Sequence, residues 1–256
     1  MADSVGDELQ DGPGFNWTMR VRSRARGHDE VMAIEVETKD CTALSDSELA
    51  EMADLCADGP SRYESGLLSK MAEAWVLITQ AREGEKLKGF SFCTLERIGG
   101  TPCVLIGLAS VKRSSKRDTV LKALMHDQYR RAVLAFPDED VLVGTRFVDA
   151  GGFEAFKYLE DIVPRPGHKA SGEERAWGRR LAKRFGIGPE GGIYDDRAFV
   201  ATGDGSYPPA LDHESLHPES IDPDVAAFFD SIDVDRGDSL IAFGWAMAEF
   251  LAKHDG

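Results

Sequence analysis

Leu108-Ala109-Ser110-Val111-Lys112-Arg113-Ser114-Ser115-Lys116-Arg117-Asp118-Thr119-Val120-Leu121 is where an apolar run becomes a basic loop and the loop becomes a helix. Up to Val111 the residues are apolar or small, as in a buried strand. Ser115 and Asp118 stand at capping-box spacing, which predicts a helix starting near Thr119. Val120, Leu121, Leu124, Met125, Gln128, Ala132, Val133 and Phe136 then trace one stripe up to Pro137. From Lys112 to Arg131 there are seven Lys or Arg and two acidic residues, a local +5 in a chain whose 30 basic and 45 acidic residues give -15. The first turn of a helix has unpaired N–H groups and the positive end of its dipole, so a basic loop leading into it suits phosphate or pyrophosphate. The plainer reading is a loop that only solvates its own charges.

Upstream, Trp75 to Gln80, Gly89 to Arg97 and Cys103 to Val111 read as a meander, the last two strands joined at Ile98-Gly99-Gly100-Thr101. A two-residue turn there sets Ile98 opposite Thr101 and Glu96 opposite Cys103. Further back, Ser45 and Glu48 cap a helix with Leu49, Met52, Leu55 and Cys56 on one face, stopped by Gly59-Pro60. Tyr63 to Ala74 reads as a second helix, Val31 to Val36 as a strand ending at polar Glu37 to Asp40, and Asn16 to Arg24 alternates loosely. Downstream, Val141 to Val148 predicts a strand and Phe153 to Leu159 a short helix. Ser171 and Glu174 cap a helix carrying Trp177, Leu181 and Phe185, and Arg197 to Thr202 forms a last strand.

Net charge of -15 disfavours a general nucleic-acid or anionic-membrane binder. The longest nearly apolar run, Leu240 to Ala252, is well short of the roughly 20 residues a membrane-spanning helix needs. The acidic N-terminus lacks the features of a signal peptide, which points to a cytoplasmic protein. Cys41, Cys56, Cys93 and Cys103 have no metal or redox spacing and are expected as buried free thiols.

Residues 1–15 read as a disordered acidic tail and 16–202 as the main domain. Residues 203–238 carry ten acidic residues against Arg236, with four prolines, and predict an irregular acidic linker running over the surface. Residues 239–256 predict a C-terminal helix, apolar all round from Ser239 to Lys253, that docks on this chain or forms a homodimer contact.

The order of elements around the opening stretch resembles the GNAT superfamily of acyl-CoA-dependent N-acyltransferases, over roughly residues 31–165. That family binds the CoA pyrophosphate at a Q/R-x-x-G-x-G/A loop opening a helix. With Val111 at the end of the family's fourth strand, Lys116 falls at the Q/R position, Thr119 at the first glycine and Leu121 at the Gly/Ala. The resemblance implies an α/β (α+β) fold with a mixed, mostly antiparallel central sheet flanked by helices, here with a C-terminal extension. It also implies an acetyl-CoA or other acyl-CoA cofactor held by Val111, Lys116, Arg117, Asp118, Thr119 and Val120. Tyr158 resembles the tyrosine that acts as general acid for the departing thiolate. The strand Cys103 to Val111 has no carboxylate, so Glu96 on the neighbouring strand is the candidate base. The implied activity is acyl transfer to a small-molecule or peptide amine. Because both loop glycines are replaced, the alternative is a non-catalytic GNAT-like binding or regulatory protein that has lost acyl-CoA use.

Other patterns are weaker. Of six scattered histidines only His213 and His217 are four apart, and Pro218 argues against a helical pair, so no metal site is expected. Asp230, Asp233, Asp235 and Asp238 lack the glycine and closing glutamate of a calcium loop. A second basic island, Arg165 to Arg184, presents Arg175, Arg179 and Lys183 on one helix face, suited to pairing with the chain's own acidic tail.

Overall fold

The computed structural model describes residues 17–20, 33–57, 63–188 and 193–254. The expected tail 1–15 lies outside them. The strands are β1 (Trp17–Arg20), β2 (Ile34–Asp40), β3 (Leu77–Glu83), β4 (Lys86–Ile98), β5 (Thr101–Val111), β6 (Val141–Phe147), β7 (Glu160–Val163), β8 (Ile193–Asp195), β9 (Val200–Thr202), β10 (Leu211–Asp212) and β11 (Ser239–Ala246). The α-helices are α1 (Asp46–Ala57), α2 (Ser65–Ala74), α3 (Arg117–Ala135), α4 (Gly172–Arg184), α5 (Pro223–Ala226) and α6 (Ala248–Leu251), with short 3-10 turns such as Ala150–Phe156.

All eleven strands belong to one sheet, ordered β1-β2-β3-β4-β5-β10-β6-β11-β9-β8, with β7 beside β11. Among the described residues only β5, β6 and β10 pair in parallel, and every other pairing is antiparallel. This is the mixed, mostly antiparallel sheet flanked by helices that the resemblance implied. One apolar layer joins Met52, Leu68, Trp75, Trp177, Leu181 and Phe243, under α1, α2 and α4. The other joins Val120, Leu124, Val143, Phe147 and Phe156, under α3.

Local signals hold where their partners are close in sequence. Ser45 and Glu48 cap each other reciprocally, Glu48 N–H to Ser45 Oγ at 3.3 Å and Ser45 N–H to Glu48 Oε2 at 3.0 Å. Ser171 and Glu174 do the same at 3.1 and 2.6 Å. The Gly99-Gly100 turn sets Ile98 opposite Thr101 and Glu96 opposite Cys103. All four cysteines are free and buried, and burial pushes the thiols of Cys41, Cys93 and Cys103 up to about 12.

Several expectations are corrected. Strand β2, expected to end at Val36, runs on through Glu37 to Asp40, because its buried side chains alternate at Ile34, Val36 and Thr38. Thr38 is satisfied inside: its hydroxyl donates to Asp127 at 2.6 Å and meets Thr79 at 2.7 Å. Burial alone would raise the Asp127 carboxyl, but Thr38, Arg131 and Arg130 hold it below the usual range. The predicted C-terminal helix is strand β11 followed by the four-residue α6. Its apolar surface on every side reflects a strand buried on both faces, with Ile241 and Phe243 in one layer and Ala242 and Ala246 in the other. Its docking is therefore within this chain. Residues 203–238 are not a surface linker throughout: residues 210–213, Ser215 and Asp238 are buried and β10 lies inside the sheet, whereas 216–236 run over the surface with no buried residue. The boundaries at 202 and 238 thus fall within one sheet. On α4, Arg179 pairs with Asp196 instead of the acidic segment.

Candidate functional site

The central feature starts at one glycine. β5 and β6 pair in parallel from Cys103 and Leu142 as far as Ile106 and Thr145. On the other side of β5, Cys93 faces Ile106 and Phe92 faces Leu108, so Gly107 is an extra residue without a partner. Leu105 and Leu108 consequently share a layer although three positions apart. The bulge requires glycine: a Cβ there would lie 1.9 Å from the Trp75 ring. Past it, β5 and β6 part.

Parted parallel strands leave backbone groups without partners, and the space beyond their carboxyl ends is where open α/β sheets take ligands. Here the chain fills that space itself. Leu211 and Asp212 of β10 face Ala109 and Ser110 of β5, and Leu211 also faces Phe147 of β6. Ala109 N–H donates to Ala210 O at 3.1 Å. Buried Tyr63 holds the approach, donating its hydroxyl to Pro208 O at 3.1 Å and accepting from Ala210 N–H at 3.2 Å.

The basic loop meets the same segment. Arg113 Nε lies 2.7 Å from a Glu214 carboxylate oxygen and its Nη2 3.7 Å from Asp212. Arg117 donates to the Glu214 carbonyl at 2.5 Å and the Ser215 carbonyl at 2.8 Å. Lys116 is bonded to Glu83, which Lys116 and Lys88 together hold down at about 2. The charge reversal read in the sequence does have an anionic partner, and it is the chain's own acidic segment together with Glu83.

The predicted capping box of Ser115 and Asp118 does not form. α3 begins at Arg117, with Lys116 at the cap position and no side-chain cap. Asp118 turns instead to the incoming segment, accepting from Leu216 N–H at 3.4 Å and standing 3.3 Å from His213 Nε2. A partner nearly a hundred residues away outcompetes the local cap. Val111 and Val120 are buried core residues, while Thr119 is exposed.

Beside this seal, a cavity of about 560 Å³ opens between α3 and residues 150–158. Leu121, Met125 and Phe153 form its apolar wall, Asp118 and Glu154 stand at one side, and Tyr158 at another. Tyr158 is half-exposed and stacks on Phe250 at 5.8 Å. The structure thus brings Tyr158 and Asp118 to one cavity. It does not bring Glu96 there: facing Cys103, Glu96 lies eight positions along β5 from Val111, about 26 Å at about 3.3 Å per residue. Arg184 binds its carboxylate at 2.7 Å. His213, wholly buried between Asp118 and Glu154, stands out in the sequence only as a partner of His217; no spacing joins positions 118, 154 and 213.

The sheet and its helices make a mixed α/β fold with a mostly antiparallel sheet. No family model matches the sequence, and no curated protein matches it. Among solved structures, the chain is similar to the aminoglycoside 6'-N-acetyltransferase from Enterococcus faecium, with 15% identity and a TM-score of 0.36, over 44% of this chain and 64% of that one. It is similar to ElaA of Escherichia coli at 17% identity and TM-score 0.34, over 52% and 94% of the two chains. Arabidopsis thaliana Naa50, solved with the bisubstrate analogue CoA-Ac-MVNAL, gives 15%, 0.32, 50% and 86%. Likeness at this level carries nothing about activity. Among the described residues no helix is long and apolar enough to cross a membrane.

Proposed function

We propose that this chain is a GNAT-like binding protein whose strand–helix junction is sealed by its own acidic segment, and whose ligand is a small, largely apolar molecule in the cavity between α3 and residues 150–158. One observation carries this reading: β10 pairs with both β5 and β6 in the gap, and Arg113 and Arg117 are engaged by residues 212–215. An acyl-CoA pyrophosphate at this loop would have to displace those partners. It would also meet Asp118 and the side chains of Thr119 and Leu121 where glycine would let it approach.

A second reading, acyl-CoA-dependent transfer to a small-molecule or peptide amine, has its own supporting observation. Tyr158 stands at the same cavity as Lys122 and Lys157, so a cofactor entering there would meet two cations and a hydroxyl able to protonate a thiolate. Thermal melting and calorimetry of the full chain with a panel of acyl-CoAs separate the readings. The binding-protein reading expects no stabilisation up to about 1 mM, the upper end of ordinary KM values. Stabilisation near 2.7 kcal/mol, as about 100-fold excess over Kd provides, would overturn it. Turnover that falls about 100-fold in Tyr158→Phe would then establish the second reading.

A further inference from the structure

His213, Asp118 and Glu154 come from three separate parts of the chain: the loop after β10, the first turn of α3, and the 3-10 turn Ala150–Phe156. The imidazole is wholly buried, while each carboxylate is about 30% exposed. His213 Nε2 lies 3.2 Å from Glu154 Oε2 and 3.3 Å from Asp118 Oδ1. Nε2 carries at most one proton, so it can donate to only one of the two carboxylates at a time. A cation at the centre of the three atoms would satisfy both carboxylates and the nitrogen together.

We infer that these three side chains form a zinc site that clips the acidic segment onto α3 and the 150–156 turn. The spacing fits the ion. Zinc bonds of about 2.0–2.2 Å to nitrogen and oxygen, set at tetrahedral angles, place neighbouring ligand atoms roughly 3.3–3.5 Å apart. The two observed N···O separations are 3.2 and 3.3 Å, and all three ligand atoms lie within 4.8 Å of one another. One imidazole with two carboxylates is a donor set that zinc accepts, and Asp118 and Glu154 line the cavity, leaving a fourth position on that side for water or a ligand atom. The two carboxylates already have supporting bonds: Ser215 donates its hydroxyl to Glu154, and Leu216 N–H donates to Asp118 at 3.4 Å; the buried His213 Nδ1 has no partner among the described residues. Among the described residues this is the group of three or more His, Cys, Asp or Glu with ligand atoms so placed. The ion would tie together elements 36 to 95 positions apart, at the place where the segment leaves the gap between β5 and β6. The site is independent of whether acyl-CoA binds.

The test uses the full chain stripped with EDTA and titrated with zinc, read by calorimetry, metal analysis after dialysis, and thermal melting. One equivalent should bind, raise the melting temperature, and be lost again to EDTA. Asp118→Asn and Glu154→Gln keep size and shape at partly exposed positions, and each should weaken zinc binding at least 10-fold with an unchanged circular-dichroism spectrum. His213→Gln should abolish binding, but it alters a buried ring, so the two carboxylate variants carry the test. Sub-stoichiometric zinc after dialysis would overturn the inference. So would wild-type affinity in both carboxylate variants, since the ion would then lie elsewhere.

Discussion

A methyl group at position 107 would overlap the Trp75 indole, and this contact makes the bulge that parts β5 from β6 depend on a single residue. Gly107→Ala should destabilise the chain by about 2 kcal/mol, the cost of forcing volume into a filled site. Urea unfolding followed by tryptophan fluorescence checks this, because the substitution must also displace Trp75 and change its emission; wild-type stability and emission would refute the packing described for the bulge. The glycine is visible in the sequence, but nothing near it reveals that a tryptophan 32 positions earlier lies over it. Lys116, Arg117 and Asp118 were legible as a charged helix start for the same local reason. Their actual partners, Glu83 and residues 213–216, are distant in sequence and were not legible.

Among the elements, α1 is fixed to the sheet through two carboxylates: Glu51, which accepts from Arg82 of β3 at 2.6 Å and from Leu87 N–H of β4 at 3.1 Å, and Glu48. Burial would raise the Glu48 carboxyl, yet Lys39 of β2 at 2.6 Å, the N–H and hydroxyl of Ser45, and Gln80 of β3 at 3.0 Å hold it down at about 2. Because the folded value lies below the ordinary 4.5, the contribution is complete above about pH 4.5 and is lost as pH falls toward 2. The group is partly exposed and screened, so the loss should be about 1 kcal/mol. Glu48→Gln should flatten that part of the stability profile, measured by urea unfolding at pH 6 and pH 3; a variant with the wild-type slope would assign the acid sensitivity to other carboxylates. The helix and its cap could be read from Ser45 and Glu48 alone. The two strands that share the carboxylate could not, since only the sheet brings them to it.

For the whole molecule, β11 lies between β6 and β9 and also pairs with β7. Deleting residues 239–256 would remove an interior strand, expose the β6 edge and uncover Phe147 and Leu181, so the truncated chain should lose its cooperative melting transition and aggregate. A soluble truncated chain melting like the full one would contradict the sheet order. By itself the sequence determined the features whose causes lie within a few residues: the capping boxes at Ser45 and Ser171, the Gly99-Gly100 hairpin with its register, the apolar face of α3, and the order of elements through β6. Only the tertiary structure decided that residues 239–246 are a strand, because a run buried on both faces has no periodicity to distinguish strand from helix. It alone decided what the basic loop binds, and that His213 meets Asp118 and Glu154, because those partners are far apart along the chain and become neighbours only when β10 enters the gap between β5 and β6.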